Sequence, residues 1–101
     1  LKTTLDFLKE ATETYKERNK VYKDNYYKFG KVMTELFPNG VNLKSEGDFN
    51  RWGTLNMIVA KITRYANAFE AGGHQDSIHD LGVYSFMQEE LDEFYKKENK
   101  K

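Results

Sequence analysis

The sequence contains no cysteine and a single proline, Pro38. Without cysteine there is no disulfide framework, thiolate metal site or cysteine nucleophile, and a reducing, cytoplasmic setting is the expectation. No apolar run approaches the roughly 18 residues that a membrane span requires, and no signal-peptide pattern opens at Leu1. Neither insertion nor export is expected. Net charge is lacking too, because 16 basic residues balance 16 acidic ones. That leaves no field of one sign to draw a nucleic-acid backbone or an anionic membrane, so neither is expected as a partner. The glycines form neither a Walker pattern nor G-x-G-x-x-G, and no nucleophile elbow occurs.

What is present is a chain of 101 residues, 39% hydrophobic and 15% aromatic. That supports one folded domain over 1–101. Strand alternation is missing, and Pro38, Gly40, Gly47 and Gly72-Gly73 divide the chain into three long stretches of helical period. The first carries Leu1, Leu5, Leu8, Tyr15, Tyr22, Tyr26, Phe29, Met33 and Leu36 at intervals of three, four or a multiple. Its seam turns polar at Thr12 and Arg18-Asn19, which places a break between Asn19 and Asn25. The second stretch starts with Asp48 as its N-cap and carries Phe49, Trp52, Leu55, Val59, Ile62, Ala66 and Phe69, stopping at Gly72-Gly73. The third begins near Gln75 or Asp76 and runs Ile78, Leu81, Tyr84 or Ser85, Met87, Leu91 and Phe94. Gly82 inside it costs about 1 kcal/mol relative to Ala, so it marks either close approach of another helix or mere tolerance. The fold expected is an all-α bundle of three long stretches, the first open to division in two, with residues 96–101 as a frayed, cationic helix end.

Chemistry would rest on carboxylates and a few cations. Asp76 and Asp80, four apart, project from one side of the third stretch, where two oxygens suit Mg²⁺ completed by substrate phosphates. The plainer reading makes Asp76 a cap and Asp80 a solvated charge. Glu10, Glu13 and Glu17 form a second acidic row, surrounded by Lys9, Lys16 and Lys20 as on an ion-paired surface. Lys61 and Arg64 border the second stripe and can reach phosphates, Arg64 with a planar fork, or Arg64 can bridge to Asp80 or Asp76. His74 and His79 lack metal spacing and read as bystanders.

Three segments occur in an order that resembles a known family. They are Arg18 to Tyr22 as R-x-x-x-Y, Lys61-Ile62-Thr63-Arg64 as K-x-x-R, and Asp76 to Tyr84 as D-S-x-x-D-x-x-x-Y. Together they resemble the phage-type MazG-like domains, over roughly Glu10 to Leu91. The resemblance implies an all-α, oligomeric, Mg²⁺-dependent nucleoside triphosphate pyrophosphohydrolase releasing a nucleoside monophosphate and pyrophosphate. It also implies roles: Asp76, Asp80, Glu13 and Glu17 for metal, Lys61 and Arg64 for phosphate, Tyr22 or Trp52 for stacking on a base. Glu10, Glu13 and Glu17 only approximate the family's E-E-x-x-E cluster, and Ser77 stands where its E-x-x-D element has the acid. The second expectation is therefore a catalytically degenerate relative that sequesters a nucleotide or docks on a host protein. Self-association is expected in either case, because helices this aromatic are hard to cover within so short a chain.

Overall fold

The computed structural model describes residues 1–98, leaving aside the side chains of Val21, Tyr22, Lys97 and Glu98. Residues 99–101, and with them the end of the 96–101 tail, lie outside the described residues. The chain is all-helical, with four helices and no strand among the described residues: α1 (Thr4–Tyr22), α2 (Asn25–Leu36), α3 (Glu46–Asn67) and α4 (Gln75–Glu98).

The first long stretch is two helices rather than one. Lys23 and Asp24 both take left-handed backbone, with φ of 48° and 61°, where a non-glycine residue is held only by specific contacts. Asn19 supplies them, its carbonyl accepting from Lys23 N at 2.9 Å and its side-chain oxygen from Asp24 N at 2.9 Å. The polar gap in the apolar seam thus becomes the corner between α1 and α2.

The start of α3 also differs from the expectation. Ser45, not Asp48, is the N-cap, and Asp48 completes a capping box from the third helical position. Its carboxylate accepts from Lys44 N at 3.0 Å and Ser45 N at 3.2 Å, while Ser45 Oγ accepts from Asp48 N at 3.1 Å. Those backbone donors hold the Asp48 carboxyl below its ordinary value of 3.8. A depressed carboxylate adds stability above its unfolded pKa and loses it as pH falls through the folded one. The Ser45→Ala variant should lose about 1 kcal/mol at neutral pH. Asp48→Asn should flatten the acid limb of the pH–stability curve below about pH 4, read by thermal melts against pH. At the other end, α3 stops at Asn67 and residues 68–72 turn before Gly73, whose φ of 98° suits glycine alone.

The principal packing is an antiparallel hairpin of α3 and α4. On α4 the residues turned inward are Ser77, Leu81, Tyr84, Gln88, Leu91 and Tyr95, a four-three repeat. This corrects the stripe expected from apolar residues alone, since Ile78, Met87 and Phe94 are exposed. The physical reason is that the seam includes polar members. Arg51 Nε meets Asp92 Oδ1 at 2.7 Å, Asn50 Nδ2 donates to Tyr95 Oη at 2.9 Å, and Lys61 Nζ lies 3.3 Å from Asp80 Oδ2. Close approach occurs at Gly47, where a Cβ would stand 2.5 Å from the Tyr95 ring, and not at Gly82, which has open space beside it. The other face of α3 receives α2, with Met33 and Val59 buried and Phe37 edge-on to Trp52 at 5.3 Å between ring centroids.

Candidate functional site

Where α1 and α2 approach α3, a cleft of about 570 Å³ opens, lined by Ala11, Thr14, Tyr15, Arg18, Asn19, Asn25, Tyr26, Phe29, Ala60, Thr63 and Arg64. Each wall follows from helical spacing. Ala11, Thr14, Tyr15 and Arg18 recur at three and four along α1, and Ala60, Thr63 and Arg64 do so on α3. The small residues Ala11, Ala60 and Thr63 leave room, while Arg18 and Arg64 bring guanidinium groups from two helices. Arg18 makes no ion pair among the described residues.

Two tyrosines tie the walls together. Tyr15 Oη lies 3.2 Å from Tyr26 Oη and donates to Asp24 Oδ1 at 3.4 Å, so the Tyr26 hydroxyl donates to Tyr15. That hydrogen bond, then desolvation, then charge repulsion from Tyr15 and Asp24, push the Tyr26 phenol from 10.0 up to about 12. The bond stabilises the fold below the unfolded value near 10, and its contribution disappears as pH rises through about 12. Phenolate absorbance against pH should show a late-titrating component that is absent in Tyr26→Phe and shifted back toward the ordinary value in Tyr15→Phe.

At the end of the cleft a polar cluster fixes α2 to the C-terminus of α3. Asn67 Nδ2 donates to Asn25 Oδ1 at 2.6 Å, Lys28 Nζ to Asn67 Oδ1 at 2.6 Å, and Lys23 Nζ to the Asn67 carbonyl at 3.1 Å. Among the described residues Asn25 Nδ2 is buried with no hydrogen-bond partner.

The residues singled out from the sequence are divided among separate places. Arg64 lines the cleft, and Arg18 of the R-x-x-x-Y segment joins it. Lys61 turns instead into the α3–α4 seam, its side chain 12% exposed, and it is Lys61 that bridges to Asp80. Asp76 is exposed in the first turn of α4, and α4 contributes no described residue to the cleft. Glu13 and Glu17 are exposed on α1, paired with Lys16 at 3.8 Å and Lys20 at 3.0 Å. Trp52 lines a second, smaller hollow of about 160 Å³ with Phe37, Val41, Leu43 and Gln88. The side chain of Tyr22 lies outside the described residues. His79 is exposed, whereas His74, expected as a bystander, precedes α4 and places Nδ1 2.5 Å from Oγ of Ser77, itself 2% exposed.

Among the described residues no three His, Asp or Glu side chains converge on a point where a metal ion could sit. Glu13 and Glu17 stand on α1, and Asp76 and Asp80 on α4. Tyr15, Tyr26 and Phe29 are cleft residues that the sequence places in the apolar seam. No helix among the described residues is long and apolar enough to cross a membrane. Comparison with protein-family models, with curated proteins and with solved structures finds no match to the chain.

Proposed function

We propose that the chain binds a nucleotide, or a phosphorylated small molecule of similar size, in the α1–α2–α3 cleft, as a MazG-like domain would. The observation that carries this is the meeting of Arg18 and Arg64 with Tyr15 and Tyr26 around one opening. Two guanidinium forks suit the oxygens of a phosphate chain, and tyrosine rings suit the face of a base. The volume falls within the range of about 300–1,000 Å³ usual for small-molecule sites. The order of the three sequence segments supports the same reading, since Arg18 and Arg64 belong to two of them.

Binding without turnover is the reading the geometry favours. Hydrolysis to a monophosphate and pyrophosphate calls for carboxylates gathered around metal. Here Asp80 is engaged by Lys61, and Glu13 and Glu17 face solvent beside lysines. Magnesium would arrive with the nucleotide's own phosphates.

Calorimetric titration with nucleoside mono-, di- and triphosphates, with and without Mg²⁺, tests the proposal. Charge-assisted hydrogen bonds of about 1.5–3 kcal/mol imply that Arg18→Ala and Arg64→Ala each weaken binding about 10- to 100-fold. Trp52→Phe, in the other hollow, should leave affinity unchanged. Absence of binding to every nucleotide would sink the proposal, and chromatographic release of pyrophosphate would replace sequestration by catalysis.

A further inference from the structure

The zero net charge of the chain hides a division along it. Residues 18–31 carry five cations, Arg18, Lys20, Lys23, Lys28 and Lys31, against one carboxylate, Asp24. Residues 75–95 carry six carboxylates and neither lysine nor arginine. The fold keeps most of those acids away from the cations. Asp92 meets Arg51 in the second turn of α3, whereas Lys23 and Lys28 reach Asn67 at its C-terminal end. Those places are sixteen residues apart on one helix, about 24 Å at 1.5 Å per residue. Charges so far apart are screened from one another at physiological ionic strength, where the Debye length is about 8 Å. Asp80 is neutralised by Lys61. The corner between α1 and α2 therefore presents a positive field of its own.

Most of its cations are uncompensated. Lys20 pairs with Glu17, but Arg18, Lys23, Lys28 and Lys31 have no carboxylate partner among the described residues. Lys23 and Lys28 donate to the neutral Asn67. Two exposed rings stand among them. Tyr26 lines the cleft and is 63% exposed, and Tyr27 beside it is 70% exposed, with ring centroids 4.7 Å apart. At 3.6 residues per turn, α2 presents Tyr26, Tyr27, Lys31 and Lys28 in that order around its outer side. The rings thus lead from the mouth of the cleft out to the lysines.

We propose that the occupant of the cleft is one nucleotide unit of a single-stranded nucleic acid, whose next base stacks on Tyr27 and whose phosphates follow Arg18, Lys31 and Lys28. This rests on the nucleotide reading of the cleft and extends it along the surface. A mononucleotide would use the cleft alone and make no contact with Tyr27 or Lys31. A cationic track interleaved with aromatic rings is the arrangement that binds single strands, because every base has a face to stack and every phosphate a charge to meet. A duplex keeps its base faces covered and offers Tyr27 nothing to stack on. The balanced composition speaks against a whole-surface field, and a track of this kind needs only the local one.

Fluorescence anisotropy with labelled hexamers of thymidylate and of deoxyadenylate, competed by the matching monophosphates, tests the proposal. The hexamers should bind at least tenfold more tightly than the monophosphates, and an abasic hexamer or a duplex at least tenfold more weakly than the hexamers. Log affinity for a hexamer should fall against log salt with a slope of about −2 to −3, for three or four phosphates at about 0.7 each. Tyr27→Ala should weaken hexamer binding at least fivefold and leave the monophosphates unchanged, and Lys31→Gln should reduce the salt slope by about 0.7. Both positions are exposed, so circular dichroism should show unchanged helix content. Arg18→Ala and Arg64→Ala should weaken hexamers and monophosphates alike.

Hexamers that bind no tighter than monophosphates, an abasic strand that binds as tightly as they do, or a Tyr27→Ala variant with unchanged affinity would overturn the proposal while the nucleotide reading stands. Hexamer binding indifferent to Arg18→Ala and Arg64→Ala would detach the strand from the cleft and overturn it too. Monophosphates that fail to bind, while the hexamers bind through Arg64, would end the small-ligand reading and leave the strand.

Discussion

Replacing Asp80 with Ala should destabilise the protein by about 2 kcal/mol, more than the loss of an ordinary surface ion pair. Lys61 is the reason. Its side chain is 12% exposed within the α3–α4 seam, and Asp80 Oδ2 at 3.3 Å is its ion-pair partner. Removing the carboxylate leaves an ammonium facing packed side chains, which for a fully buried pair costs about 3–5 kcal/mol. The lower figure applies because Asp80 itself is 45% exposed and water can reach the site. Lys61→Met should by contrast be nearly neutral, since the stem is kept and no charge remains to be solvated. Combining Lys61→Met with Asp80→Ala should recover most of the loss. Urea unfolding of the four proteins measures this directly. An unchanged midpoint for Asp80→Ala would mean that Lys61 turns to solvent once released, and the seam would then owe nothing to the pair.

That pair also shows how sequence spacing misleads. Lys61 and Arg64 are three apart and were expected to reach phosphates together, yet they differ by most of a right angle around α3. One turns toward α4 and the other toward α1 and α2. The helical class itself was legible, because the three-four period persists and no alternation competes with it. The corner at Lys23-Asp24 was legible as a polar interruption, for the residue that breaks the seam, Asn19, is the one that captures both backbone donors of the corner. Ser45 was harder, since serine and aspartate are both good N-caps; the three-residue interval to Asp48 was the available sign of a capping box. The inward face of α4 was illegible by apolar residues, because Ser77 and Gln88 belong to it while Met87 and Phe94 do not.

The cleft was half legible. Arg18 and Arg64 stand in short segments that drew notice, whereas nothing in the period separates Tyr15 and Tyr26 from tyrosines of a core. Their position became informative only with the corner, which turns α2 back so that the Tyr26 hydroxyl meets that of Tyr15 at 3.2 Å. The exposed leucines of α1 likewise looked like half of a core. In the fold Leu5 and Leu8 are 70% and 59% exposed, so α1 does not bury them.

Gly47→Val should cost about 2 kcal/mol, although the sequence alone made Gly47 a divider between the first and second helical stretches. It is the second residue of α3 and is buried against the ring of Tyr95. Even a bare Cβ would stand 2.5 Å from Tyr95 Cδ1 and 2.8 Å from Cγ, distances at which something must move. The ring has little room to retreat, because Asn50 Nδ2 holds its hydroxyl at 2.9 Å and Phe94 stands edge-on at 4.9 Å. Overpacking of this kind costs about 1–3 kcal/mol, against a gain in helix propensity of only a few tenths for valine over glycine. The penalty should therefore belong to the ring rather than to the helix. In a Tyr95→Ala background the same substitution should cost at least about 1 kcal/mol less, a coupling readable from a double-mutant cycle in urea. An equal cost in both backgrounds would show that Gly47 is needed for the backbone of the first turn, and that the hairpin does not close through Tyr95.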